Sequence, residues 1–158
     1  MEMKSGIVGL TSSFKEAVNG LRPGEKVVFA GSVAVCTPFS ELLAYAVKDM
    51  GLEMVYAPKA RADLAKRMKW VEDVGYSVTS EPGETAGATL VVILGGLAMP
   101  KFGCSTAEVN DLISNVSEQR PKVVGVCFMN IFERAGWTEQ VCFDTVINAT
   151  MDVTVVQR

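Results

Sequence analysis

The 158-residue chain contains no histidine. That absence removes Ser-His-Asp and Cys-His nucleophilic catalysis, HExxH zinc sites and imidazole acid–base chemistry. Catalysis, if there is any, falls to Cys, Lys, Tyr, carboxylates or backbone dipoles. The four cysteines, Cys36, Cys104, Cys127 and Cys142, form no CxxC pair. A chain of this length buries enough surface to fold without a disulfide or metal staple, so reduced thiols are expected. Long apolar runs are also missing. The densest, Leu90 to Met99, is interrupted by Gly95 and Gly96 and falls short of the roughly 18 residues a membrane span needs. Met1-Glu2-Met3-Lys4 lacks the layout of a signal peptide. Positive charge is in slight deficit, with 15 Lys and Arg against 18 Asp and Glu and a net charge of -3, which argues against non-specific nucleic-acid binding. The expectation is one cytoplasmic domain over residues 1–158, with no membrane and no nucleic-acid partner.

What is present is an alternation of short apolar runs and amphipathic stretches. Ser13 and Glu16 have capping-box spacing, which predicts a first helix over Ser13–Asn19. Lys26–Ala30 reads as a strand. Phe39, Leu42, Leu43, Ala46, Val47 and Met50 fall on one helical face after Pro38, and Gly51 suits the stop. Glu53–Ala57 reads as a strand closed by Pro58. Leu64, Met68 and Val71 have helical spacing before Gly75, predicting a second helix over Ala62–Val74. Tyr76–Ser80 alternates as a strand. The connection after it, Glu81–Ala88, is short for a parallel crossover, so that strand is expected to be antiparallel or linked by a single helical turn. Leu90–Leu94 and Val123–Phe128 are the most apolar strands. Between them Ser105 and Glu108 form a second capping box, and Asn130 and Glu133 look like a third. Phe143–Val156 holds one or two more strands, with a hairpin expected around Asn148-Ala149-Thr150. The fold class expected is α/β: a three-layer α/β/α sandwich around a mostly parallel, Rossmann-like sheet of five to seven strands.

In such sheets ligands bind beyond the carboxyl ends of the strands, where the strand order reverses. That rule selects the loops Gly31–Thr37, Pro58–Arg61, Gly95–Ser105 and Phe128–Asn130; the first and third are expected to flank the crevice, both glycine-bearing and both leading into a helix N-terminus, where backbone amides favour an anion. The expected ligand-binding residues are Gly31, Ser32, Cys36, Thr37, Lys59, Gly95, Gly96, Lys101, Cys104 and Ser105. The ligand class is small and anionic, bearing phosphate or carboxylate, with nucleotide-like molecules included. The loop Gly31-Ser32-Val33-Ala34-Val35-Cys36-Thr37 is neither GxGxxG nor a P-loop, so the sequence names no cofactor, and a plain structural turn remains an open alternative.

Cysteine placement suggests a second reading. Cys36 precedes Thr37 and Cys104 precedes Ser105, each pair standing at an expected helix cap, and Cys127 lies near a strand end. A thiol at a helix N-terminus has a stabilised thiolate. Cys36 is therefore a candidate nucleophile or redox thiol, with Lys59 or Lys101 assisting. Cys36, Cys104 and Cys127 are an alternative ligand set for a soft metal or an iron–sulfur cluster. All three also fit the role of small buried hydrophobe. A third option is a non-catalytic subunit, a homo-oligomer joined through its C-terminal strands.

The segments Gly31-Ser32 through Cys36-Thr37-Pro38-Phe39-Ser40-Glu41-Leu42-Leu43, and Gly95-Gly96-Leu97-Ala98-Met99-Pro100-Lys101, resemble an uncharacterised family of small archaeal proteins found largely in methanogens. The resemblance runs over nearly the whole chain. It implies an archaeal cytoplasmic setting and transfers no functional residue.

Overall fold

The structure is a computed structural model that describes residues 3–158. Its centre is built from segments that alternate apolar side chains onto two covered faces. β1 (Lys26–Gly31), β2 (Glu53–Pro58), β5 (Leu90–Leu94) and β6 (Lys122–Phe128) are buried along most of their length, as parallel strands covered on both sides must be. With β3 (Lys66–Val71), β4 (Gly75–Pro82) and β7 (Thr145–Ala149) they form one seven-stranded sheet in the order β4-β3-β2-β1-β5-β6-β7. β2, β1, β5, β6 and β7 are mutually parallel, in registers such as Val28 beside Val55 and Val91. β3 runs antiparallel to β2, and β4 antiparallel to β3.

Helices cover both faces. α1 (Gly6–Ala17) and α2 (Thr37–Ala46) lie on the face that carries Val27, Phe29, Tyr56, Val92 and Val126. α3 (Thr106–Asn115), α4 (Ile131–Arg134) and α5 (Trp137–Gln140) accompany the face that carries Val28, Ala30, Val91, Ile93 and Cys127. This is the expected three-layer α/β/α sandwich. Counting the parallel strands alone, the order is 2-1-3-4-5, the doubly wound order of flavodoxin-like sheets. Its switch point falls between β1 and β5, because the chain leaves β1 for one face and β5 for the other.

The expected helix over residues 62–74 is corrected. A single 3-10 turn, Ala62–Leu64, is followed by β3. The spacing of Leu64, Met68 and Val71 mimics a helix, but pairing overrides it: Arg67 sits beside Val55 and Trp70 beside Tyr76. Met68 is buried, while Trp70 packs on Tyr76 at 5.5 Å and on Tyr45 of α2 at 6.1 Å between ring centroids. The hairpin turn is visible in Asp73 and Gly75, whose φ angles are 63° and 107°. The strand expected at Tyr76–Ser80 is β4, and it is antiparallel to its neighbour. Residues 83–89 then cross to β5 through a turn closed by the Ala88 amide on the Thr85 carbonyl at 3.3 Å, with the Gly87 amide donating to the Val116 carbonyl at 2.6 Å and the Thr89 amide to the Lys26 carbonyl at 3.0 Å.

Two further expectations shift. The first helix starts at Gly6, so Ser13 is an interior residue and caps nothing; Leu10, Phe14 and Ala17 supply its buried stripe. No hairpin forms at Asn148-Ala149-Thr150, because β7 runs parallel to β6 and residues 150–158 lie outside helix and strand. No helix among the described residues is long and apolar enough to cross a membrane.

Asp144 fixes the start of β7. Its carboxylate accepts the Val123 amide at 2.7 Å and Arg120 Nη1 at 3.0 Å. Burial opposes ionisation there, but the Val123 amide and the Arg120 guanidinium outweigh it and hold the carboxyl below its ordinary range. A depressed carboxyl contributes stability above its unfolded pKa, and that stability is lost as pH falls through the folded value. Asp144→Asn should therefore cost about 1–2 kcal/mol in urea unfolding at neutral pH, and the difference from wild type should shrink toward zero in acid.

Candidate functional site

Strand β1 delivers Gly31 and Ser32 to the carboxyl edge of the sheet. The next three residues turn tightly: the Val35 amide donates to the Val33 carbonyl at 2.8 Å, and Ala34 has φ 69°. The turn brings Cys36 back over the strand end, where its Sγ lies 3.2 Å from Ser32 Oγ. Cys36 is 3% exposed and Ser32 1%. Tyr56, from β2, donates its hydroxyl to the Ser32 carbonyl at 2.7 Å. Burial pushes the Tyr56 phenol well above its ordinary value, so it stays a protonated donor.

The two loop glycines are explained by Cys36. A Cβ on Gly31 would lie 2.5 Å from Cys36 Cβ and 2.6 Å from the Tyr56 hydroxyl. A Cβ on Gly96 would lie 2.5 Å from both Cys36 Sγ and Ser32 Oγ. Cys36 is thus seated between β1 and the 3-10 turn Gly95–Ala98 that follows β5, which is the switch point itself. Lys59 joins the same place, since its amide donates to the Gly31 carbonyl at 2.9 Å.

Other expected residues separate from this cluster. Gly95 packs on Cys127, whose Cβ would stand 2.6 Å from a Cβ at Gly95, and Cys127 Sγ donates to Asn148 Oδ1 at 3.5 Å. Cys104 Sγ lies 3.8 Å from the Lys59 carbonyl. Lys101 holds its ammonium 5.1 Å from the ring of Phe102. The three thiols do share the carboxyl edge, but Cys36 belongs to the α1–α2 face, and Cys104 and Cys127 to the α3–α5 face. The winding that creates the switch point sends the two helices, and the cysteines that precede them, to opposite sides. Among the described residues, no group of three or more His, Cys, Asp or Glu is arranged to hold a metal ion.

The helix starts also differ from expectation. Cys36, not Thr37, occupies the N-cap of α2, and no side chain caps its amides. The Ser105 box is complete: the Glu108 amide donates to Ser105 Oγ at 3.2 Å and the Ser105 amide to Glu108 Oε2 at 2.9 Å. That box reverses the expected thiol chemistry at Cys104. Burial, reinforced by the adjacent Glu108 carboxylate, pushes this thiol up to about 12. A negative capping residue occupies the position from which a thiolate would have drawn stabilisation.

Backbone strain gathers at the same edge. Ala34, Lys59, Ala60, Met129 and Asn130 are non-glycine residues with φ between 54° and 69°, all just beyond the ends of β1, β2 and β6. Such conformations persist where the surroundings over-determine them, and they cluster at functional sites. Sequence reasoning missed Tyr56; its signal was a hydroxyl-bearing side chain within an otherwise apolar, buried strand, where it must find a hydrogen-bond partner.

Residues 5–152 match the model of a family described as uncharacterized proteins conserved in archaea (DUF2124). The chain is 38% identical over 132 residues to an uncharacterized protein of Methanocaldococcus jannaschii, covering 83% of this chain and 78% of that one. It is 37% identical over 139 residues to an uncharacterized protein of Methanothermobacter thermautotrophicus, covering 88% and 86%. A crystal structure of a protein of unknown function from Methanothermobacter thermautotrophicus superposes with a TM-score of 0.89 at 34% identity, covering 100% of this chain and 97% of that one.

The raised Cys104 thiol generates a direct expectation. Near pH 8, iodoacetamide should label exposed Cys142 well before Cys104, because a thiol far above the usual value of about 8.5 presents little thiolate. Glu108→Gln should speed Cys104 labelling several-fold. Mass spectrometry of timed aliquots reads both, and labelling of Cys104 ahead of Cys142 would contradict the assignment.

Proposed function

The chain belongs to this archaeal family, and we propose that it binds a small anionic ligand at the carboxyl edge of the sheet, above the β1–β5 switch point. The observation that carries the reading is the uncapped start of α2 at that point. Its first-turn amides have no side-chain partner, and the helix dipole adds partial positive charge where doubly wound sheets take their ligands. Lys59, exposed and anchored by its amide to Gly31, supplies a full positive charge beside them. Phosphate- and carboxylate-bearing molecules, nucleotides included, match this electrostatic pattern.

In this reading Cys36 is a packing residue under the ligand rather than a nucleophile. Its burial and its contacts with Ser32, Gly31 and Gly96 support that role. The ligand rests on the turn Ser32–Cys36 and the start of α2 instead of entering a deep crevice, because side chains fill the space below.

Amide-resolved NMR titration with inorganic phosphate, a nucleoside monophosphate and a dicarboxylate, at constant ionic strength, tests the proposal. At least one should give saturable shifts at Cys36, Thr37, Phe39 and Lys59, and Lys59→Ala should weaken that binding roughly tenfold, the scale of one charge-assisted contact. Absence of saturable shifts at these amides with all three would overturn it.

A further inference from the structure

β7 ends one side of the sheet. It pairs with β6, and among the described residues no strand lies beyond it. Open edges are normally guarded by charge, proline or a bulge. The opposite edge is guarded in this way: β4 ends in Glu81-Pro82, and its register against β3 shifts between Lys66 and Met68. β7 reads Thr145-Val146-Ile147-Asn148-Ala149, without charge or proline, in unbroken register with β6.

Directly after β7 comes a segment with the pattern of a strand and no strand partner. Met151, Val153 and Val155 alternate with Asp152 and Thr154, and Val153 to Val156 are all β-branched. Val153, Val155 and Val156 are 74%, 77% and 73% exposed. The chain here is tied to the β6 side of β7: the Met129 amide donates to the Ala149 carbonyl at 2.9 Å, and the Met151 amide to Met129 Sδ at 3.5 Å. That is the side away from the open edge, so the segment is not placed to fold back onto its own β7. Nearby apolar side chains stay in solvent as well. Val146 on β7 is exposed, as are Ile7 and Val8 at the start of α1, the helix that packs on β7.

We propose that the protein is a symmetric dimer in which residues 151–156 of each copy add as a β-strand to the outer edge of β7 of the other. One chain carries both the unguarded edge and a strand to cover it. A two-fold operation satisfies both needs at once and closes the assembly. Length permits it: residues 150–158, extended, reach about 30 Å, against about 17 Å for a five-residue edge. The valines at 153 and 155 then exchange water for apolar side chains of the partner. This goes beyond ligand binding and does not depend on it.

Sedimentation equilibrium of the full chain at micromolar concentrations provides the test, alongside Val153→Lys/Val155→Lys. Both positions are solvent-exposed in the single chain, so the variant keeps its fold, which circular dichroism checks. Wild type should sediment at twice the chain mass, and the variant as a monomer with a dissociation constant at least ~100-fold weaker, since charged side chains would have to be buried at the new strand. Trp70→Ala, on β3 at the far side of the sheet, should stay dimeric. Hydrogen exchange on wild type should show protected amides within 151–156. A monomeric wild type, a dimer that survives the double substitution, or tail amides that exchange as freely as an unstructured peptide would each overturn the proposal.

Discussion

The carboxyl edge of this sheet is organised by one steric fact: the side chain of Cys36 fills the space between Gly31 and Gly96. Neither glycine can carry a Cβ without meeting Cys36 or its partners at 2.5–2.6 Å. Protein interiors are packed closely enough that such a contact tolerates little adjustment. With Cys36 held there, Ser32 meets it through Oγ, Tyr56 secures the Ser32 carbonyl from β2, and Lys59 reaches Gly31 through its amide. β1, β2 and the turn after β5 are locked together at the place where the winding reverses.

This arrangement also separates the cysteines. Cysteines at three strand ends suggest a shared thiol site only if the sheet is treated as a single rim. A doubly wound sheet has two faces, and successive helices on either side of the switch point go to different ones. Cys36 lies on the face of α2, whereas Cys104 and Cys127 lie on that of α3 and α4. Electrostatics separates them further, because Glu108 opposes a thiolate at Cys104 while the start of α2 is left with bare amides. Of these two helix starts, only that of α2 is without a side-chain cap, which is why the proposed anion site is placed there.

Much of the architecture was legible because parallel strands covered on both sides must be apolar throughout. Lys26–Ala30, Leu90–Leu94 and Val123–Phe128 announce themselves in this way, and Ser105 with Glu108 marks α3. The hairpin β3–β4 was not legible by periodicity, since Leu64, Met68 and Val71 satisfy a helical spacing by coincidence. Its strand character comes from pairing partners outside the segment, Val55 on one side and Tyr76 on the other. At the site, the importance of Gly31, Gly96 and Cys36 could be read from loop position. Their mutual contact could not, because it depends on the Ser32–Cys36 turn doubling back through Ala34. Tyr56 escaped notice for the same reason: its partner is a backbone carbonyl 24 residues away.

The most direct measurement is the unfolding free energy, in urea, of Gly96→Ala with and without Cys36→Ala, and of Gly31→Ala with and without Cys36→Gly, because the Gly31 contact is with the Cys36 Cβ that alanine would keep. If Cys36 is the wedge between two glycines, each alanine costs about 1–3 kcal/mol through overpacking, and the cost falls when Cys36 is truncated in the same chain, a coupling of at least about 0.5 kcal/mol. Glycine substitutions that change stability by less than about 0.5 kcal/mol, or that cost the same whichever residue stands at position 36, would contradict the account.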